Sequence, residues 1–159
     1  MTEAPHGGKD SRLEKDLPAQ AHPEQAGPDG TDTYSLYRRG LDLLGRGSAA
    51  AAAQLLERAV AAEPRSPSVL EALARAQFDA RRYTDAADSF RQIVEASPSD
   101  DYAQFGLGLA LARAGNPAAA TEHLALAAAM RPDLRHYTDA LRQVRATLRA
   151  RGVARPDDK

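Results

Sequence analysis

The chain has 159 residues, suited to one domain with a tail, and a formal net charge of −1. It contains no cysteine, which excludes disulfides, thiol catalysis and cysteine-ligated zinc. No run approaches the roughly 20 apolar residues that a membrane-spanning helix needs.

The charge is unevenly spread. Residues 1–32 sum to −4, residues 33–134 to −1, and residues 135–159 to +4. A near-neutral central body has no electrostatic footprint for nucleic acid. Residues 1–32 hold Pro5, Pro18, Pro23 and Pro28, with Leu13 and Leu17 as the large aliphatics beyond the initiator. Such a segment buries too little apolar surface to offset its ordering entropy, so a disordered acidic tail is expected there. It lacks the apolar stretch of a secretory signal, so the cytoplasm is the expected compartment.

From Thr33 onward the chain repeats itself every 34 residues, in frames 33–66, 67–100 and 101–134. Frame position 8 holds Gly40, Ala74 and Gly108; position 20 holds Ala52, Ala86 and Ala120. Position 24 holds Leu56, Phe90 and Leu124, position 27 holds Ala59, Ile93 and Ala127, and position 32 holds Pro64, Pro98 and Pro132. Small residues at 8 and 20 let two helices approach, and large ones at 24 fill the space between them. GRGS at 45–48, ARRY at 80–83 and AGNP at 114–117 break each frame into two helical runs. Ser66-Pro67 and Asn116-Pro117 place a capping residue before a proline at the first helical position. Ser99 and Asp100 are expected to cap the helix that follows Pro98, and Asp133 the helix that follows Pro132. Each unit is therefore a helical hairpin, and hairpins must stack to bury their faces.

These positions resemble the tetratricopeptide repeat, whose pattern has a bulky residue at 4, a small one at 8, alanine at 20, an aromatic at 24 and proline at 32. Leu36 and Leu70 fit position 4, Tyr83 fits position 17, and Gln104 departs at position 4 of the third frame. Leu43, Gln77 and Leu111 stand where tyrosine is common. The resemblance covers residues 33–134 and a final helix. It implies an all-α, right-handed solenoid of three hairpins plus a C-terminal capping helix at 135–151, with a flexible terminus at 152–159.

The ends of the array follow from one stripe. Positions 3, 7, 10 and 14 are Val69, Leu73, Ala76 and Ala80 in the second frame and Ala103, Leu107, Ala110 and Ala114 in the third. In the first frame they are Ser35, Arg39, Asp42 and Arg46, polar because no hairpin precedes them. In the final helix Tyr137, Leu141, Val144 and Leu148 face the third hairpin, while Arg142, Arg145 and Arg149 take the place of a further partner. That arginine ridge reads as a solvated cap rather than a phosphate-binding surface.

No catalytic constellation is present. His6, His22, His123 and His136 have no zinc-binding spacing and read as surface residues. The glycines of GLGLALARAG at 106–115 lie within a helix and form no phosphate loop. No enzyme activity, metal or cofactor is expected.

The resemblance implies that first helices line a concave groove through positions 2, 5, 9 and 12. From these the expected protein- or peptide-binding residues are Tyr34, Tyr37 and Leu41; Glu71, Arg75 and Phe78; and Tyr102, Phe105 and Leu109. Glu71 and Arg75 are expected to pair one turn apart at the centre. Some family members clamp acidic chaperone tails with lysine, asparagine and arginine. Here Tyr37, Leu41, Ala72 and Gly106 occupy the corresponding places, so that clamp is absent. The expected role is non-catalytic binding of a partner protein or peptide, as adaptor, scaffold or assembly factor. The alternative is a self-associating homo-oligomeric module, with RNA binding through the capping arginines a third reading. Ser11-Arg-Leu-Glu14 matches a capping box, with Leu13 and Leu17 one turn apart. A short helix docking on the solenoid is one reading of it, and a fluctuating tail the simpler one.

Overall fold

A computed structural model describes residues 32–152 of the chain; the Ser11–Leu17 motif lies outside them. Among the described residues seven helices follow one another: α1 (Thr33–Gly45), α2 (Ala49–Ala62), α3 (Pro67–Asp79), α4 (Tyr83–Ala96), α5 (Asp101–Arg113), α6 (Pro117–Met130) and α7 (Arg135–Ala150). Among the described residues there is no strand.

The helix starts obey the 34-residue register. Asp32 accepts from the Ser35 N–H at 3.3 Å, Ser66 from Val69 at 3.4 Å and Asp100 from Ala103 at 3.0 Å. Each satisfies one of the donors that a helix N-terminus leaves free. Asp100 caps α5 by itself, without Ser99. Asn116 caps α6 through the Ala119 N–H at 3.3 Å, with Pro117 at the head of the helix. The expectation for Asp133 is corrected. The residue at the capping place of α7 is Leu134, whose side chain has no acceptor to offer. Asp133 sits one residue too early, where Arg131 holds its carboxylate in a two-pronged pair at 2.8 and 3.0 Å. That contact keeps the Asp133 carboxyl below its ordinary pKa.

Within each hairpin the small residue at position 8 meets the large one at position 24. A Cβ placed on Gly40 would lie 2.6 Å from Leu56 Cγ, and one on Gly108 2.6 Å from Leu124 Cγ. Ala52, Ala86 and Ala120 are fully buried beside them. Each leucine enclosed this way contributes about 1.5–3 kcal/mol.

Helix α3 divides the core. Its Val69, Leu73 and Ala76 pack with Leu36, Leu56 and Ala59 of the first hairpin. Its Leu70 and Ala74 join Phe90, Ile93, Leu107 and Leu124, a cluster that runs on to Leu141 and Val144 of α7. Two buried glutamines complete the packing where larger residues were expected. Gln77 accepts from the Ser89 hydroxyl at 2.6 Å, inside the second hairpin. Gln104 donates its amide N–H to the Pro98 carbonyl at 3.0 Å and meets His123 Nδ1 at 2.8 Å.

The two layers of the stack pack differently. Each first helix packs on the next, α1 on α3, α3 on α5 and α5 on α7, whereas no packing of that extent joins α2, α4 and α6 to one another. The first helices therefore form the inner face. At one end Arg39, Asp42 and Arg46 are exposed, with Arg46 and Asp42 paired at 3.2 Å. At the other, Tyr137 donates its hydroxyl to Asp101 at 2.7 Å and anchors α7, whose Arg142, Arg145 and Arg149 face outward. No described helix is long and apolar enough to cross a membrane.

Candidate functional site

The inner face is indented between α3 and α5. The cavity there has a volume of about 250 Å³. Arg75, Phe78 and Asp79 line it from α3, and Tyr102, Phe105, Gly106 and Leu109 from α5. Phe90 of α4 forms its floor, with only 2% of its surface exposed. Gly106 makes this floor possible: a Cβ at that position would lie 2.4 Å from Phe90 Cζ.

The rings around the cavity brace one another. Phe90 and Tyr102 meet edge to face at 6.2 Å between centroids. Phe105 stacks on Tyr137 at 4.4 Å and takes the edge of His136 at 5.3 Å. Phe78 meets Tyr83 at 5.2 Å, and the Arg113 guanidinium lies 5.8 Å from the Phe78 ring centroid. These contacts hold half-exposed rings in fixed orientations, so little side-chain freedom remains to be lost on binding.

Of the nine residues expected at a binding surface, Arg75, Phe78, Tyr102, Phe105 and Leu109 come together here. Tyr34 and Leu41 are half-buried on α1 and do not line the cavity. Tyr37 has no exposed surface; it belongs to the apolar cluster with Leu36, Leu56 and Val69. Glu71 is buried, at 9% exposure. The expected Glu71–Arg75 side-chain pair is not formed, since the Arg75 side chain makes no ion pair or hydrogen bond with any described residue. The sequence reading missed Asp79, Phe90 and Gly106. Phe90 carried the signal of a core-filling position, and it serves both purposes because α5 approaches it through a glycine.

His123, expected on the surface, is half-buried and hydrogen-bonded to Gln104. The Pro98 carbonyl can only accept, so it faces the Gln104 amide nitrogen. The amide oxygen then faces His123, and Nδ1 carries the proton. Burial lowers the pKa of the ring. Among the described residues, no group of three or more His, Asp and Glu side chains is placed to hold a metal ion.

Helical hairpins stacked in register, with first helices lining an inner face, define an α-solenoid repeat protein. A sequence model of the tetratricopeptide repeat matches residues 37–101 and, overlapping them, 72–134, and the chain belongs to the tetratricopeptide-repeat family. No curated protein matches it in sequence. Among solved structures it is similar to MamA from MSR-1, at 22% identity and a TM-score of 0.70 over 89% of this chain and 80% of that one. MamA from AMB-1 is similar at 23% identity and a TM-score of 0.66, over 74% and 69% of the two chains. The first TPR of Spaghetti (RPAP3), bound to the HSP90 peptide SRMEEVD, is similar at 19% identity and a TM-score of 0.68, over 74% and 93%. Likeness at these identities establishes the fold.

Proposed function

We propose that the chain is a non-catalytic protein-interaction module that takes an extended segment of a partner along its inner face, acting as adaptor, scaffold or assembly factor. The observation that carries this reading is the ring-lined cavity between α3 and α5, which opens on the face formed by the first helices. One apolar side chain seated there contributes about 2 kcal/mol, against the roughly 8 kcal/mol of a micromolar complex. Further contacts along the groove are needed, and that favours an extended segment over a small molecule. The Spaghetti domain binds an HSP90 peptide. Tyr37, Leu41, Ala72 and Gly106 give this chain no equivalent of a clamp for such tails, so its partner has a different chemistry.

Self-association is the less supported reading. Among the described residues Leu126 on α6 is the exposed large hydrophobic side chain, at 49%. A single such residue is ordinary on a monomer.

Affinity capture from the native lysate tests the groove, with Phe105→Ala and the outer-face control Leu126→Ser beside the wild type. Loss of the same partners with Phe105→Ala alone, at unchanged helical circular dichroism, is the expected result. Equal recovery by all three proteins would remove the groove from consideration. Light scattering that shows a micromolar dimer abolished by Leu126→Ser would establish self-association instead.

A further inference from the structure

We infer that the cavity between α3 and α5 is a socket for one large apolar side chain of a separate partner protein, whose neighbouring residue carries a single carboxylate received by Arg75. The inference rests on the groove reading above and gives it a chemistry.

The anchor follows from the lining. Phe90 closes the floor, and Phe78, Phe105 and Leu109 supply apolar wall. A polar side chain entering such a space loses its water and finds few partners, which disfavours it. An aromatic or long aliphatic side chain loses nothing comparable.

The carboxylate follows from Arg75. Arg82, Arg91, Arg131 and Arg142 each have a carboxylate oxygen within 3.1 Å. Arg75, the arginine that lines the cavity, has none among the described residues, although Glu71 and Asp79 lie one turn to either side of it on the same helix. The residue is half-buried on the cavity wall, and its guanidinium makes no hydrogen bond or ion pair with a described residue. A guanidinium whose donors no described residue engages presents the fork that a carboxylate accepts in two parallel bonds. Asp79, exposed on the rim of the same cavity, limits what else can approach. It repels a second negative charge, so an acidic run, a phosphate chain or an anionic membrane surface fits poorly, and one acid beside one apolar residue fits well.

The test uses the full chain and fluorescein-labelled nonapeptides. Each peptide carries one Phe or Leu flanked on one side by Glu, Gln or Lys in an otherwise Ser/Ala/Gly sequence, and fluorescence polarisation reads binding. The Glu peptides are expected to bind about tenfold more tightly than the Gln peptides, a difference of about 1.4 kcal/mol. Arg75→Gln should bring the Glu and Gln peptides to equal affinity. Arg75→Lys should restore part of it, since the charge remains and the fork is lost. Replacing the anchor with Ser should remove binding.

Equal affinity of Glu and Gln peptides for the wild type, with both weakened by Phe105→Ala, would overturn the role of Arg75 and leave the groove standing. Peptide binding indifferent to both the anchor and Phe105→Ala would overturn the groove reading as well. If Leu13→Ser/Leu17→Ser in the full chain raised peptide affinity tenfold or more, the socket would belong to the chain's own N-terminal segment, and the separate partner would be wrong. A dimer dispersed by excess Glu peptide would assign the socket to a second copy and overturn it likewise.

Discussion

Arg81→Gly is expected to stabilise the protein. The three turns inside the hairpins are built alike, with a left-handed residue at frame position 15: Gly47, Arg81 and Gly115, at φ +82°, +64° and +94°. In each, the next residue's N–H reaches back over the helix end, from Ser48 to Leu43, Arg82 to Gln77 and Asn116 to Leu111, at 2.8, 2.8 and 2.9 Å. Two of the turns use glycine, which meets no steric penalty there, and the middle one forces a side-chain-bearing residue into the same conformation. A Cβ in the left-handed region costs about 1–2 kcal/mol. Glycine returns about 0.4–1 kcal/mol of that through the greater freedom of its unfolded chain. The Arg81 side chain is exposed and makes no hydrogen bond or ion pair with a described residue, and the bond from its backbone N–H to the Phe78 carbonyl is one that glycine can also make, so nothing else is lost. The net gain is about 0.5–1 kcal/mol, or roughly 2–4 °C in Tm for a body of this size. Urea unfolding followed by circular dichroism measures it as a higher midpoint at unchanged slope. Two alanine substitutions in the first turn give an internal check of sign. Gly45 lies in the helix with open space around its Cβ position, so Gly45→Ala should add up to about 1 kcal/mol. Gly47→Ala, two residues later at φ +82°, should remove a similar amount. A lower midpoint for Arg81→Gly, or shifts of the same sign at Gly45 and Gly47, would refute the reasoning.

Two further outcomes are expected. Gly108→Ala should cost about 2–3 kcal/mol, and more than Gly40→Ala, because its Cβ meets the Leu124 backbone nitrogen at 3.2 Å as well as the side chain. At Gly40 the nearest contacts are all Leu56 side-chain atoms, which can yield, and parallel urea titrations would show whether the order holds. At His123, burial lowers the folded-state pKa, so the unfolded chain binds the proton more readily. Stability is then complete above the unfolded value of about 6.5 and falls as the pH drops toward the folded one. His123→Gln should flatten that slope between about pH 7 and 5; an unchanged pH profile would show that the ring carries no linkage.

What was legible in the sequence was whatever repeats. Pro64, Pro98 and Pro132, and the small and large residues at positions 8 and 24, recur because every hairpin solves the same packing problem. A recurring physical demand leaves a recurring residue type, so seven helices and their order could be read from one chain. The site is different because it exists once. Arg75 and Asp79 line the cavity from one helix, and Gly106 admits Phe90 from another, a juxtaposition that has no counterpart in the first hairpin and so no period to reveal it. Frame position also misled where two neighbours compete for one side chain. Position 5 places Phe105 on the cavity wall, where Tyr137 and His136 hold it, yet places Tyr37 wholly inside the cluster shared with Leu36 and Val69. Gln104 shows the same logic in the core: a bulky position takes an amide because a carbonyl on one side and an imidazole on the other leave both ends of that amide satisfied. A polar residue at an apolar frame position is then not a flaw in the repeat. It marks where one turn and two helices have been tied together, and the groove that Phe105 and Leu109 present on the same helix inherits that rigidity.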